Sequence, residues 1–403
     1  MLRRPFLVVC AALLVVAVIQ TPSASSVEAR PPAGPAPEGR RTFGNVLRAV
    51  AVDPDGNVYV TGSRHEHMIL RKYSPTGAIL WTRAWSPNDA WAAGRGLAIG
   101  GGGSVYLAGG VGVAGYEGGA WFIRKYSSSG ELLWRRATPD WREGATTAIS
   151  GIAVGGRRVV VSGFDHGCCG ESFWHDGWVR AYGYDGTLAW VKDFEPPFLS
   201  RTIDAANDVA VNAHGSAFVV GWVSRRHQLE SDRTEPERSE HDIVLQRLDR
   251  SGRVVWTRVL DDKQKRDRDE ALAVDLLDGR LAVAGTIWLG EHVGRAWLAS
   301  FTTGGRLDWQ RAWSTERRQA IPADVAFDGS GISVVGDRIR RHGYSLFLRR
   351  FTSGGAALWE TLVEDRPQVS GSDVDARADA EVFVVGSGST RQRTDGYVWR
   401  FGI

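Results

Sequence analysis

Apolar and polar positions alternate along most of this chain in short runs, each stopped by Gly, Pro, Asp or Asn. The first copy reads Ala-Val-Ala-Val at 49–52, the turn Asp53-Pro54-Asp55-Gly56-Asn57, then Val-Tyr-Val-Thr at 58–61 closed by Gly62. After a loop come Met-Ile-Leu-Arg-Lys-Tyr at 68–73, the turn Ser74-Pro75-Thr76-Gly77, and a fourth run carrying Trp81. Runs of period two, rich in β-branched and aromatic residues and bounded by turn formers, are strands joined as antiparallel meanders. No segment sustains an apolar period of 3.6, so helix content is expected to be close to nil.

The pattern repeats, which decides the fold class. Second-run glycines recur at Gly62, Gly109, Gly163, Gly221, Gly285, Gly336 and Gly386. A Gly-x-x-x-Trp element recurs at Gly77/Trp81, Gly130/Trp134, Gly186/Trp190, Gly252/Trp256, Gly305/Trp309 and Gly355/Trp359. Seven glycines against six tryptophans imply seven units of four strands, the last of them one strand short. The expectation is an all-β fold: a seven-bladed β-propeller of four-stranded antiparallel blades, with the segment Arg41-Thr42-Phe43 completing the last blade and hiding its edge. A β-solenoid is the alternative, but units of this length exceed its usual coil. Each Trp is expected to pack across the gap between blades, burying about 200 Å². The Gly four residues earlier supplies the positive φ of the hairpin.

Composition narrows the rest. Hydrophobic residues make up 43% of 403, enough for a substantial core, and the net charge is only +3. Arg and Lys are spread through the repeats rather than gathered in a stripe, so nothing points to nucleic acid. Residues 1–29 read as a signal peptide, with basic Arg3 and Arg4, an apolar core over 6–19 and a small-residue cleavage site at Val27-Glu28-Ala29. Fourteen apolar residues reach about 21 Å as a helix, short of the roughly 30 Å a bilayer core needs. The mature protein is therefore expected to be secreted or to sit at the cell surface or in the periplasm, with no stable membrane span. A retained anchor is the alternative. Residues 30–40 form a Pro-rich linker and 41–403 the propeller, which is expected to be monomeric.

The strings Val52-Asp53-Pro54-Asp55-Gly56-Asn57-Val58-Tyr59-Val60-Thr61-Gly62 and Ile69-Leu70-Arg71-Lys72-Tyr73-Ser74-Pro75-Thr76-Gly77, with Trp81, resemble the bacterial seven-bladed beta-propeller repeat family (SBBP type). The likeness covers residues 41–403, sharpest in the first two units. It implies an exported or surface protein and an architecture, not a catalytic activity. Gly-x-x-x-Trp is also similar to the tryptophan-docking turns of pyrroloquinoline-quinone-type propellers, although those have eight blades and a calcium-bound cofactor pocket, and no matching catalytic residues can be placed here.

Candidate chemistry follows from blade geometry. Second-to-third loops and blade-to-blade connections emerge on one face, and the tight Gly/Asp turns on the other. The longer, variable loops are where binding is expected. His65, His67, His166, His175, His227, His241, His292 and His342 fall in or beside them, whereas His214 sits opposite. They form a candidate ligand-binding rim, or simply polar loops; none has the spacing of a metal site. First-strand positions near the channel mouth are read as Ala49, Gly96, Gly151, Asp208, Ala271, Asp324 and Asp373. Asp208, Asp324 and Asp373 are a candidate site for Ca²⁺ or another divalent cation, or else cap backbone amides. Cys168-Cys169 is read as a strained vicinal disulfide, two free thiols or an intermolecular pair. Gly110-Val111-Gly112-Val113-Ala114-Gly115 matches a dinucleotide fingerprint by letters only, because no helix follows it. The expected function is a non-enzymatic propeller binding a protein or glycan through its loop face. The alternative is a propeller-scaffold hydrolase, lyase or quinoprotein-like oxidoreductase with a cation at the channel mouth.

Overall fold

The computed structural model describes residues 17–19, 31–43, 46–87, 90–112, 119–138, 145–169, 172–196, 202–225, 241–260, 268–288, 294–314, 319–364, 368–377, 381–389 and 394–402. Seven antiparallel sheets follow one another along the chain as the blades of a ring. Their inner strands are Val46–Val52, Trp91–Ile99, Ala145–Gly155, Thr202–Val211, Glu270–Leu277, Ala320–Asp328 and Gln368–Arg377. The only helical element among the described residues is the 3-10 turn Gly101–Gly103.

The first six blades take their four meander strands from consecutive sequence. The seventh combines Gln368–Arg377, Glu381–Ser389 and Thr394–Gly402 with Gly39–Phe43, which runs antiparallel along its outer side, Gly39 opposite Arg400 and Phe43 opposite Gly396. The Pro-rich segment just before it lies along the sixth blade. There the Gly34 amide donates to the Glu360 carbonyl, and the Glu360 amide to the Pro32 carbonyl, each at 3.0 Å. Ala17–Ile19 pairs in parallel with the outer strand of the fourth blade.

The core lies between blades rather than within them. Seven apolar clusters occupy the seven interfaces. Phe218 and Trp256 of blade four, for example, pack with Leu281, Trp297 and Phe301 of blade five. Across the seam, Leu47, Val50, Val58, Val60 and Tyr73 of the first blade meet Phe383 and Val385 of the last.

The Gly-x-x-x-Trp elements lock these interfaces from outside. Trp81 lies against Gly130 of the next blade, where an added Cβ would come within 2.9 Å of its ring, and its indole N–H donates to the Ser128 carbonyl at 3.0 Å. Arg83, two residues on, donates from Nε to the Gly130 carbonyl at 2.6 Å. Trp134 and Arg136 repeat the contact on Tyr184 and Gly186, Trp256 and Arg258 on Thr303 and Gly305, and Trp309 and Arg311 on Ser353 and Gly355. Gly130 sits at φ 84° and Gly355 at φ 83°, so each turn glycine is needed twice, for its backbone and for the incoming ring. Trp359 has no such turn ahead of it and packs instead against Gly34.

Candidate functional site: the channel mouth and loop face

The seven inner strands surround a central channel with a cavity of 480 Å³. Each of them skips one residue in its pairing with the second strand, at Arg48, Arg95, Ser150, Asn207, Leu272, Ala323 and Ser372. All seven skipped residues line the channel. A β-bulge of this kind kinks the strand and re-aims a side chain.

The seven second-strand glycines explain why the bulge always falls there. Gly62 pairs with Leu47 beside the bulge at Arg48, and a Cβ on it would collide with the Val46 carbonyl oxygen. The same collision, with a backbone carbonyl two residues ahead of the bulge, recurs at Gly109, Gly163, Gly221, Gly285, Gly336 and Gly386. What reads in the sequence as a strand terminator is the space that admits a bulge.

The residue after each bulge is Ala49, Gly96, Gly151, Asp208, Ala273, Asp324 or Asp373, which corrects the fifth position from Ala271 to Ala273. Asp275 and Asp375, two residues further along their strands, join the acidic wall. Every one of these carboxylates accepts an amide from the following blade. Asp208 accepts from Val274 at 2.9 Å, Asp275 from Phe327 at 2.7 Å, Asp324 from Val374 at 2.9 Å, Asp373 from Val50 at 2.6 Å and Asp375 from Val52 at 2.7 Å. The aspartates converge and also act as staples between blades.

Those amide bonds favour the ionised carboxylates, and burial overrides them. Burial, then the charge of Asp324, pushes Asp208 and Asp373 well above the ordinary carboxyl range. Asp324 is raised by burial and hydrogen-bonds to Asp373, an acid–carboxylate pair with a shared proton. Burial lifts Asp275 to about 6 and Asp375 to about 7. Among the described residues, no three His, Cys, Asp or Glu side chains are grouped to hold a metal ion.

The histidines are spread over several blades of the loop face, and within the third blade His166 stands opposite His175 in the strand pairing. His65 and His67 are exposed on the first blade, where His65 and Glu66 form a tight turn at φ 44° and 67° and the Glu66 carbonyl accepts the Ala92 amide of the second blade. His342 is exposed on blade six, and His166 is half-buried on blade three. His241 is built into an interface. Its ring stacks on Trp222 at 3.9 Å, and Nδ1 is 2.9 Å from Oε1 of Glu270 in the next blade. Nothing in the sequence singled out Trp222 or Glu270 as its partners. The side chain of His175, and all of His227 and His292, lie outside the described residues. Cys168 and Cys169 are consecutive residues of the strand Arg158–Cys169, opposite Phe173 and Ser172; their side chains also lie outside the described residues.

Sequence reasoning missed Arg48 and Arg95. The signal available was their offset: each bulged residue stands 13 or 14 positions ahead of its strand-ending glycine.

No protein-family model matches this chain, and no curated protein matches it in sequence. Solved propellers do match in shape. Virginiamycin B lyase from Staphylococcus aureus aligns over 90% of this chain and 99% of its own, with TM-score 0.50 and 11% identity. The β-propeller domain of the Trilobed protease from Pyrococcus furiosus gives 0.47 and 10%, over 90% and 96%. Phage phi92 endosialidase gives 0.46 and 9%, over 90% and 68%. The chain is a seven-bladed β-propeller. At such identities the likeness extends to fold alone.

Proposed function

We propose that this protein is an exported, non-enzymatic propeller of the SBBP type that binds a ligand or protein partner through its loop face and channel mouth. The observation that carries this reading is the ring of bulges. Seven equivalent backbone kinks project a non-repeating set of side chains (two Arg, Ser, Asn, Leu, Ala, Ser) to one opening. A scaffold that keeps its backbone and varies what it presents is organised for recognition. The signal-like N-terminus and the repeat resemblance support export, and no helix among the described residues is long and apolar enough to cross a membrane.

The test is a glycan and peptide array screened with mature protein, followed by hydrogen exchange on the leading hit. Protection is expected at residues 64–67 and 340–343 and along the bulges. Protection confined to the tight turns, such as residues 74–77 and 127–130, would sink the reading.

The convergence of Asp208, Asp324 and Asp373 supports a second reading, an enzyme on this scaffold with Ca²⁺ or another divalent cation at those carboxylates. Against it stands the engagement of each carboxylate by a neighbouring blade's amide. Metal analysis of purified protein, with melting measured before and after chelation, separates the two. Bound metal together with a melting shift of several degrees favours the enzyme.

A further inference from the structure

We infer that Arg48 and Arg95 form an oxyanion-binding pair at the channel mouth, taking a small carboxylate- or phosphate-bearing ligand. This rests on the loop-face reading above and names the chemistry of that site. The two residues occupy the bulge positions of adjacent blades, and both side chains line the cavity. Both are exposed to channel solvent. The protein packed around it, and then the charge of Arg48 on the adjacent blade, lower the affinity of Arg95 for its proton.

Neither guanidinium has a hydrogen-bond or ion-pair partner among the described residues. That sets them apart. Arg83, Arg258 and Arg311 are each tied to a turn carbonyl, and Arg350 is paired with Asp328 at 2.7 Å. The acids of the same channel hydrogen-bond to the following blades' amides, and none of them pairs with either arginine among the described residues. Two like charges held together in a confined space repel, and an anion relieves that repulsion. The planar guanidinium offers two parallel donors to a carboxylate or phosphate, and two such forks from neighbouring strands suit one oxyanion group. The cavity, at 480 Å³, falls in the range of small-molecule sites. Ser150, at the bulge of the third blade, continues the polar arc beside Arg95.

The binding strand of Arg95 is itself braced. The strained His65–Glu66 turn holds the Ala92 amide three residues before it, which fixes the second blade's inner strand against the first.

The test uses calorimetric titration of the mature protein at low ionic strength with inorganic phosphate, D-glucuronate and, as a neutral control, D-glucose. Saturable one-to-one binding of phosphate or glucuronate is expected, with none of glucose; which anion binds tells phosphate from carboxylate chemistry. Arg48→Gln/Arg95→Gln is expected to weaken that binding by at least about tenfold, since charge-assisted hydrogen bonds are lost. Should the double variant misfold, the singles Arg48→Lys and Arg95→Lys, which keep charge but lose the fork, are each expected to weaken binding several-fold. No saturable binding of either anion, or equal binding by the variants, overturns the assignment. An array hit that protects the loop face and binds wild type and double variant alike removes the anion pair while leaving the loop-face reading intact.

Discussion

The outer and inner strands of each blade are built on opposite rules. Along the outer edge, side chains repeat: Trp, the Arg two residues on, and a turn glycine meet in the same way at four interfaces, with Lys192 in place of the Arg after Trp190. Along the channel it is the backbone that repeats, a one-residue bulge in every blade, while the side chains it projects do not. Residue identity is held where a ring must meet a backbone, and released where a side chain faces the open channel. The difference separates what holds the ring together from what the ring displays.

Several measurements can break or sharpen that contrast. Removing residues 1–43 strips the outer strand from the seventh blade and is expected to lower the unfolding midpoint more than any single substitution. Trp256→Ala empties a buried site and breaks the indole bond to Thr303, and should cost about 4 kcal/mol in urea unfolding. Leu133→Ala, at an exposed position on the outer strand of the second blade, should be nearly neutral. A small loss at Trp256 would show that docking does not hold the blades. Gly285→Ala forces a Cβ onto the Glu270 carbonyl at a bulge, and about 2 kcal/mol is expected. An unchanged midpoint would mean that the bulge can relax.

The channel acids predict a pH dependence of smaller size. In an unfolded chain they titrate near 3.9. Folded, Asp275 stands at about 6 and Asp375 at about 7, with Asp208, Asp324 and Asp373 raised as well. The fold therefore favours their protonated forms. That contribution is complete below about pH 4 and is lost as pH climbs through 6 and 7. Melting temperature is expected to rise as the buffer is taken from pH 8 to 5, and Asp375→Asn should flatten the slope. Asp249, held down at about 2, works in the opposite sense but outside this window. A slope of the reverse sign would refute the assignment. Smallest of all, Arg48→Gln should change stability by no more than about 0.5 kcal/mol, because the side chain holds nothing in the fold.

How much of this was legible beforehand follows the same division. Blade number, strand order and the role of the tryptophans could be read from Gly62 to Gly386 and Trp81 to Trp359, because repeated contacts leave repeated letters. The bulges left a trace only in glycines that read as strand ends. Arg48 and Arg95 looked like ordinary polar residues at the start of a strand, since no local rule marks a bulged position before its partner strand is placed. The misassignment of Ala271 has a similar cause. Ala271 and Ala273 stand on either side of the skipped Leu272, and two identical letters give no means of choosing between them until the partner strand is placed. Trp222, His241 and Glu270 meet across sequence gaps that no periodicity spans.

The docking of Trp81, Trp134, Trp190, Trp256 and Trp309 onto the turn glycine of the following blade also makes those interfaces head-to-tail, with donor and acceptor surfaces on opposite sides of one unit. Such a unit is compatible with any neighbour that keeps three positions: the ring, its arginine and the turn glycine. A blade copied by tandem duplication, or exchanged between rings, would arrive with its joints already made. Its bulged residue would come along as cargo, free to carry a different charge into the same opening.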